Sequence, residues 1–296
     1  MPNSTSKLSL AINDQYFTPV DTAKWCFQQV HEATGWTFEG TALEPAVGAF
    51  AFVDAAEELG LGLKWITNDL FPQSGQQPDF QLDFKQMGIG PFDYVITNPP
   101  FGSANSLARA FAKKSFDHAP RMMMLLPKGA RRIGFQDAMP RNARRVFDKS
   151  LDDETFITST DEFKSVKTCV QAWESTEEVF PKIKDQLDLR DDLFTCWGAQ
   201  GDDWKEKDGV AMDLQVVRWG SMGRVVPDDR LRKSGALHSV ALKNITREDF
   251  AAVQETLDFA DYKDMCSGAP AFDVPVWIHR FNTEAVRRGL LQPKQK

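Results

Sequence analysis

The chain has 296 residues, 42% of them hydrophobic, and a formal net charge of −7. That is enough apolar material for one large core or two domains, and the acidic balance argues against indiscriminate binding of nucleic acid over the whole surface. Four scattered cysteines with no Cys-x-x-Cys pair, and four histidines with no ligand spacing, exclude a disulfide framework and a structural zinc site.

In chain order, Tyr16-Phe17-Thr18-Pro19 precedes a predicted helix over residues 19–34, with Thr18 as its cap and Pro19 in its first turn. A strand at 40–44 ends on Glu44, and the small-residue turn Pro45-Ala46-Val47-Gly48 leads into a helix over 48–60. A strand at 63–68 runs up to Asp69-Leu70, and a short strand at 80–84 carries Asp83 and Phe84. A strand at 92–97, a helix over 104–118 and a buried parallel strand from Arg121 to Pro127 follow. Residues 129–147 read as a basic helix or loop-helix. Glu154–Ile157 and Val166–Trp173 read as two strands of an antiparallel hairpin closing the sheet. Alternating strands and helices of this kind predict a three-layer α/β domain. Past residue 176 the texture changes to short strands and turns near 212–219, a helix over 246–261 capped by Thr246, and a strand over 272–280. The expected boundaries are 1–175 for the α/β domain and 176–296 for a smaller α+β domain.

The most chemically pointed segment is Asp93-Tyr94-Val95-Ile96-Thr97-Asn98-Pro99-Pro100-Phe101-Gly102. A strand that stops at two prolines leaves carbonyls without partners, because proline has no N–H and a fixed φ. Asn98 adds a side-chain carbonyl, and Phe101 adds an aromatic face. Acceptors beside a ring suit a planar ligand carrying an amino group.

On these residues the chain resembles the S-adenosylmethionine (SAM)-dependent DNA adenine N6-methyltransferases, whose fourth motif reads Asp/Asn-Pro-Pro-aromatic. The resemblance covers roughly residues 14–175 and implies a Rossmann-like methyltransferase domain with a mostly parallel seven-stranded sheet. It assigns Asn98, Pro99, Pro100 and Phe101 to catalysis. There the Asn98 side chain and the Pro99 carbonyl accept from the target amine, and Phe101 stacks on the base. The stretch Glu44-Pro45-Ala46-Val47-Gly48-Ala49-Phe50-Ala51-Phe52 is similar to the family's Glu-Pro-small-x-Gly-x-Gly-x-Phe loop. Aligned without a gap, Phe50 stands where the second glycine belongs; a shortened loop would instead pair Gly48 and Phe50 with Gly-x-Phe. The implied cofactor residues are Phe17, Thr18 and Pro19 of the Phe-Thr-Pro motif, then Glu44, Pro45, Ala46 and Gly48. Asp69 and Leu70 would serve the ribose and adenine, with Asp83, Phe84 and Asn98 completing the set.

The expected partner is double-stranded DNA, with the adenine flipped out of the helix. Two basic segments would hold the phosphates. One contains Lys128, Arg131, Arg132, Arg141, Arg144 and Arg145, expected to line one wall of the DNA cleft. The other contains Arg218, Arg224, Arg230 and Arg232, in a domain expected to recognise the target. RNA adenine and protein glutamine methyltransferases share the Asn-Pro-Pro-aromatic motif, and a non-catalytic nucleic-acid-binding module is the alternative of another class. Apolar runs are too short to span a bilayer, and the opening Met-Pro-Asn-Ser-Thr-Ser-Lys lacks the apolar length of a signal peptide, so a cytoplasmic setting is expected.

Overall fold

A computed structural model describes residues 16–72, 75, 77–151, 155–158, 163–265 and 271–294. The chain divides into two compact units, Met1–Pro181 and Lys182–Lys296.

The elements of the first unit run β1 (Tyr16–Phe17), α1 (Val20–Thr34), β2 (Gly40–Glu44), α2 (Ala51–Glu58), β3 (Leu63–Thr67), β4 (Tyr94–Thr97), α3 (Ser106–Ser115) and β5 (Arg121–Pro127). The short α4 (Ile133–Gln136), β6 (Ala143–Leu151), β7 (Thr155–Thr158), β8 (Phe163–Ser165) and β9 (Thr168–Ser175) complete it. Six strands form one sheet in the order β3-β2-β4-β5-β9-β6. The first four are mutually parallel, and β9 runs antiparallel to both β5 and β6. This is a Rossmann-like α/β sheet closed by an antiparallel hairpin, the arrangement expected for a methyltransferase domain.

The sheet is buried on both faces, which its residue pattern explains. In β5, Met123 and Leu125 join Phe27, Phe52 and Ala55 of α1 and α2 in one core. Their neighbours Met122, Met124 and Leu126 join Ala108, Phe111 and Ala112 of α3 in the other. Period-two alternation along a strand that is apolar from Met122 onward feeds both layers at once.

Three sequence expectations are corrected in this unit. The closing hairpin is made by β6 and β9, so residues 143–151 are a strand rather than part of a basic helix. The buried β9 needs an outer partner for its backbone, and Val146-Phe147 supply β-forming residues there. The strand read at 154–157, of which Glu154 lies outside the described residues, belongs instead to a small sheet in the order β1-β7-β8. The short strand expected at 80–84 is reduced to one parallel bridge between Asn68 and Phe80. There the Asp79 carboxylate accepts from the Thr67 amide at 2.8 Å, occupying the edge a longer strand would use. Asp83 then accepts from the Lys85 N–H and starts a 3-10 turn. The sheet therefore has six laddered strands and a single bridge in the seventh position.

The second unit is α+β. Strands β10 (Phe194–Gly198), β13 (Leu214–Val217) and β14 (Leu237–Leu242) form an antiparallel sheet in the order β10-β14-β13. A separate hairpin pairs β11 (Glu206–Lys207) with β12 (Val210–Ala211). Helix α5 (Arg247–Gln254) begins as expected, with the Thr246 side chain accepting from the Asp249 N–H. The strand expected at 272–280 is instead α6 (Val274–Arg287), which carries a proline in its first turn. Trp277, Phe281 and Ala285 recur at helical spacing and pack with Phe194 and Phe250 in the core of the unit.

Candidate active site

The carboxyl ends of parallel strands are where α/β sheets place ligands. Here the residues following β2, β3 and β4 converge on one cavity of about 330 Å³. Its wall contains Phe17, Pro45, Ala46, Gly48, Asp69, Leu70, Asp83, Phe84, Asn98, Pro99, Pro100 and Phe101. The volume falls within the range of small-molecule sites.

Of the other residues assigned from sequence, Glu44 is 2% exposed and Thr18 is buried. Neither they nor Pro19 form the wall. Thr18 does not cap α1: the cap position is Pro19, and no side chain closes it. The Asn98 Nδ2 donates to the Thr18 hydroxyl at 3.0 Å, linking the Phe-Thr-Pro turn to the Asn-Pro-Pro turn across 80 residues. Among the described residues no group donates to the Pro99 carbonyl. The Phe101 carbonyl accepts from the amides of Leu107 and Ala108 at 3.2 and 3.3 Å, anchoring the turn to the start of α3. Gly102 has φ +68°, and a Cβ there would come within 2.7 Å of Leu107, so this turn requires glycine.

The loop after β2 runs from Pro45 to Phe50, and α2 begins at Ala51. Gly48 (φ +52°) and Phe50 (φ +64°) are both left-handed, and Phe52 is buried in the core. A Cβ on Gly48 would reach the Phe17 ring at 3.4 Å, so the loop lies close against that ring. Phe50 holds a conformation that costs a non-glycine residue about 1–2 kcal/mol. Phe50→Gly relieves this cost but adds chain entropy and loses a half-buried ring. We expect a net stability change under about 1 kcal/mol, against the 3–5 kcal/mol typical of truncating a core phenylalanine. A urea titration checks it; a loss above about 2 kcal/mol would mean that ring packing dominates.

Asp69 has both carboxylate oxygens on backbone amides: Oδ2 accepts from Gly48 and Oδ1 from Phe71, each at 2.9 Å. It therefore fixes the loop while standing in the cavity wall. Asp83 caps the turn that buries Phe84, whose ring lies 4.9 Å from that of Phe111. Desolvation pushes the Glu44 carboxyl well above the ordinary carboxylate range, only partly offset by the backbone N–H of Ala46.

Sequence reasoning missed Phe71, Leu82, Lys85, Gly102, Leu107 and Phe111 in the wall. It also missed Asn68, which is fully buried. Its Nδ2 donates to the carbonyls of Pro45 and Leu82 at 2.9 and 3.0 Å, and its Oδ1 accepts from the Leu82 N–H at 2.9 Å. One side chain thus ties together the loops after β2 and β3. A buried asparagine next to the strand-end Asp69 was the available signal.

The first basic segment does not form a single wall. Lys128 is buried. Arg131 donates to Asp148 and Ser150, and Arg145 pairs with the same Asp148 at 3.0 Å. Arg144 pairs with Glu174 at 2.5 Å, while Arg141 donates to the Phe180 carbonyl. The register puts Arg144 beside Glu174, the partner of Arg121 at the start of β5. Lys128, Arg131 and Arg132 follow the other end of β5, the end that carries the cavity. At about 3.3 Å per residue the backbone of Arg144 stands some 20 Å along the sheet from that end, whereas the side chain of Arg145 reaches back to share Asp148 with Arg131. In the second unit, Arg224, Arg230 and Arg232 are exposed and Arg218 is half-buried.

No helix among the described residues is long and apolar enough to cross a membrane. No protein-family model and no curated protein sequence matches the chain. Solved structures resemble about half of the chain at low identity. A candidate RNA methyltransferase from Pyrococcus horikoshii aligns at 16% identity and a TM-score of 0.45, covering 55% of this chain and 88% of that one. A type I restriction-modification methyltransferase subunit from Streptococcus thermophilus aligns at 16% identity and 0.41, covering 54% and 44%. TrmN from Thermus thermophilus aligns at 16% and 0.38, covering 53% and 49%. The fold of the chain is assigned on its own strand order and register, which place a cavity with amine acceptors, an aromatic face and carboxylates at the carboxyl edge of a Rossmann-like sheet.

Proposed function

We propose that the chain transfers a methyl group from SAM to the N6 amine of adenine in DNA. The observation that carries this reading is the meeting of Phe17, the Pro45–Gly48 loop, Asp69, Asp83 and the Asn98–Phe101 turn in one cavity.

The donor set fits the cofactor. Carboxylates at Asp69, just past β3, and at Asp83, which caps a 3-10 turn, suit ribose hydroxyls and an adenine amine, Leu70 and Phe84 offer apolar faces, and Glu44 suits a cationic methionine end. Bound SAM supplies an electrophilic methyl on a sulfonium. An aryl amine is a poor nucleophile because its lone pair is delocalised into the ring. Asn98 and the Pro99 carbonyl would accept its two hydrogens, draw the nitrogen towards a tetrahedral shape and localise the lone pair. Phe101 would hold the base in plane by stacking. The work is positioning and electrostatics, with no covalent enzyme intermediate.

Calorimetry with SAM and S-adenosylhomocysteine, followed by mapping of N6-methyladenine after incubation with mixed duplex DNA, tests this reading. Absence of binding by either compound overturns the cofactor assignment. Transfer to RNA or to protein glutamine instead of DNA overturns the substrate.

The burial of Glu44 gives a separate expectation. Desolvation raises the Glu44 carboxyl in the ligand-free chain, whereas a cationic ligand nearby would draw it back down. SAM binding should therefore release a proton, and affinity should rise with pH until the raised value is passed. Titrations in two buffers of different ionisation heat read the release directly, and Glu44→Gln should abolish it. The ligand-free fold has the complementary dependence. A carboxyl raised on folding binds more protons in the folded state, so its contribution to stability falls as pH climbs from the ordinary carboxylate range towards the raised value.

A further inference from the structure

The second unit has nine arginines, and they divide sharply. Arg190 pairs with Asp188, Arg247 with Asp228, Arg280 with Asp261, and Arg287 and Arg288 with Glu284. The remaining four, Arg218, Arg224, Arg230 and Arg232, make no ion pair among the described residues, and all lie within one stretch of 15 residues. Asp228, an acid inside that stretch, is taken by Arg247, which leaves Asp229 as its other carboxylate.

The backbone brings these arginines together. Val216 bridges Val225 in antiparallel fashion, and Val217 donates to the Arg224 carbonyl at 2.8 Å, so residues 217–224 form a tight hairpin. Gln215 exchanges two hydrogen bonds with the backbone of Arg232. Leu231 packs in the same satellite core as Val217. From Gln215 to the hairpin tip is about 13 Å at strand rise. At that tip stands Trp219, 47% exposed. The hairpin also forms one wall of a cavity of about 580 Å³ that includes Met222, Arg224, Leu257 and Phe259. Glu255 and Asp258 line it together with Arg224, so its charge is mixed.

We propose that this hairpin binds an unpaired nucleotide of a nucleic acid strand: Trp219 stacks on the base, and Arg224, Arg230 and Arg232 hold the flanking phosphates. The proposal rests on the reading of the chain as one that acts on nucleic acid. A bare cationic patch takes any polyanion, but an exposed indole at its edge adds affinity only where a base face is available. A perfect duplex hides those faces; a single strand or a bulge presents them.

The test is fluorescence anisotropy with the full-length protein, without SAM. The probes are a labelled single-stranded deoxyoligonucleotide, its perfect duplex, and a duplex with one bulged adenine. Wild type should prefer the single strand and the bulge. Trp219→Ala should weaken those two by about tenfold, spare the perfect duplex and leave the salt slope unchanged. Trp219→Phe should restore most of the loss. Arg224→Gln with Arg230→Gln should flatten the slope of log affinity against log salt by about 1–1.5 units and keep the preference. A Trp219→Ala protein with the wild-type preference overturns the stacking site while leaving the nucleic-acid reading intact. A wild-type protein that binds none of the three probes overturns both. Retained SAM binding in every variant shows that the first unit is intact.

Discussion

Asn98→Ala should reduce methyl transfer by at least two to three orders of magnitude, the scale for deleting one preorganised group that acts on developing charge. SAM affinity should stay within about twofold of wild type, because the reading gives this side chain to the amine that receives the methyl. The fold should lose about 0.5–1.5 kcal/mol, since the Asn98 Nδ2 bond to the Thr18 hydroxyl goes with it. Thr18→Ala removes the same hydrogen bond while keeping the Asn98 amide. It should therefore match the stability loss with a much smaller loss of turnover. Single-turnover kinetics beside calorimetry separate the two effects. An Asn98→Ala protein with an unchanged rate would remove the assigned mechanism, whatever its SAM affinity.

The second large effect is expected at a residue that does not form the wall. Asn68→Ala leaves the carbonyls of Pro45 and Leu82 and the N–H of Leu82 without their side-chain partner. The deserted Pro45 carbonyl is buried and costs about 1–3 kcal/mol, while the groups of the exposed Leu82 can turn to water and cost less, so a total loss of about 2–3 kcal/mol is expected. SAM affinity should fall with it, since the loop after β2 would no longer be tied to the loop after β3. Asn68→Asp provides a contrast: it preserves size and the acceptor for Leu82 but replaces the donor with a buried carboxylate oxygen facing two carbonyls. At neutral pH it should lose at least as much stability as the alanine variant. Urea midpoints for the two variants give the comparison, and equal, near-zero losses would show that the loops are held by other bonds.

Much of the first unit was legible because its signals are local. The apolar run from Met122 to Pro127 reads directly as a strand buried on two faces. The turn at Asn98-Pro99-Pro100 carries its own stop signal in proline chemistry. Those cues also ordered the strand ends, and with them the residues that meet in the cavity. What the sequence hid depended on partners distant along the chain. Residues 143–151 look like a basic helix until β9 is seen to need an outer neighbour. Asp79 looks like a loop acid until its carboxylate is found on the Thr67 amide. The cluster from Lys128 to Arg145 looked like one patch because sequence proximity suggested a shared surface, yet Lys128 is buried, Arg131 and Arg145 are held by Asp148, and Arg144 lies beside Glu174. The helix at Val274–Arg287 was within reach, since Trp277, Phe281 and Ala285 keep helical spacing behind an early proline.

The left-handed Phe50 bears on how such chains are to be found. A pattern that asks for glycine at this loop position asks for a residue type when the surrounding fold demands only a pair of dihedral angles. Phe50 holds left-handed angles without being a glycine. The hydrogen bond from its N–H to the Val47 carbonyl and the helix that starts at Ala51 hold the angles from either side. A search over backbone shape, asking for a left-handed residue one step before a helix that follows a strand-end acid, would collect chains that letter-matching passes over. It would also sort them by how firmly the flanking elements impose the bend, and so by which could dispense with glycine during divergence.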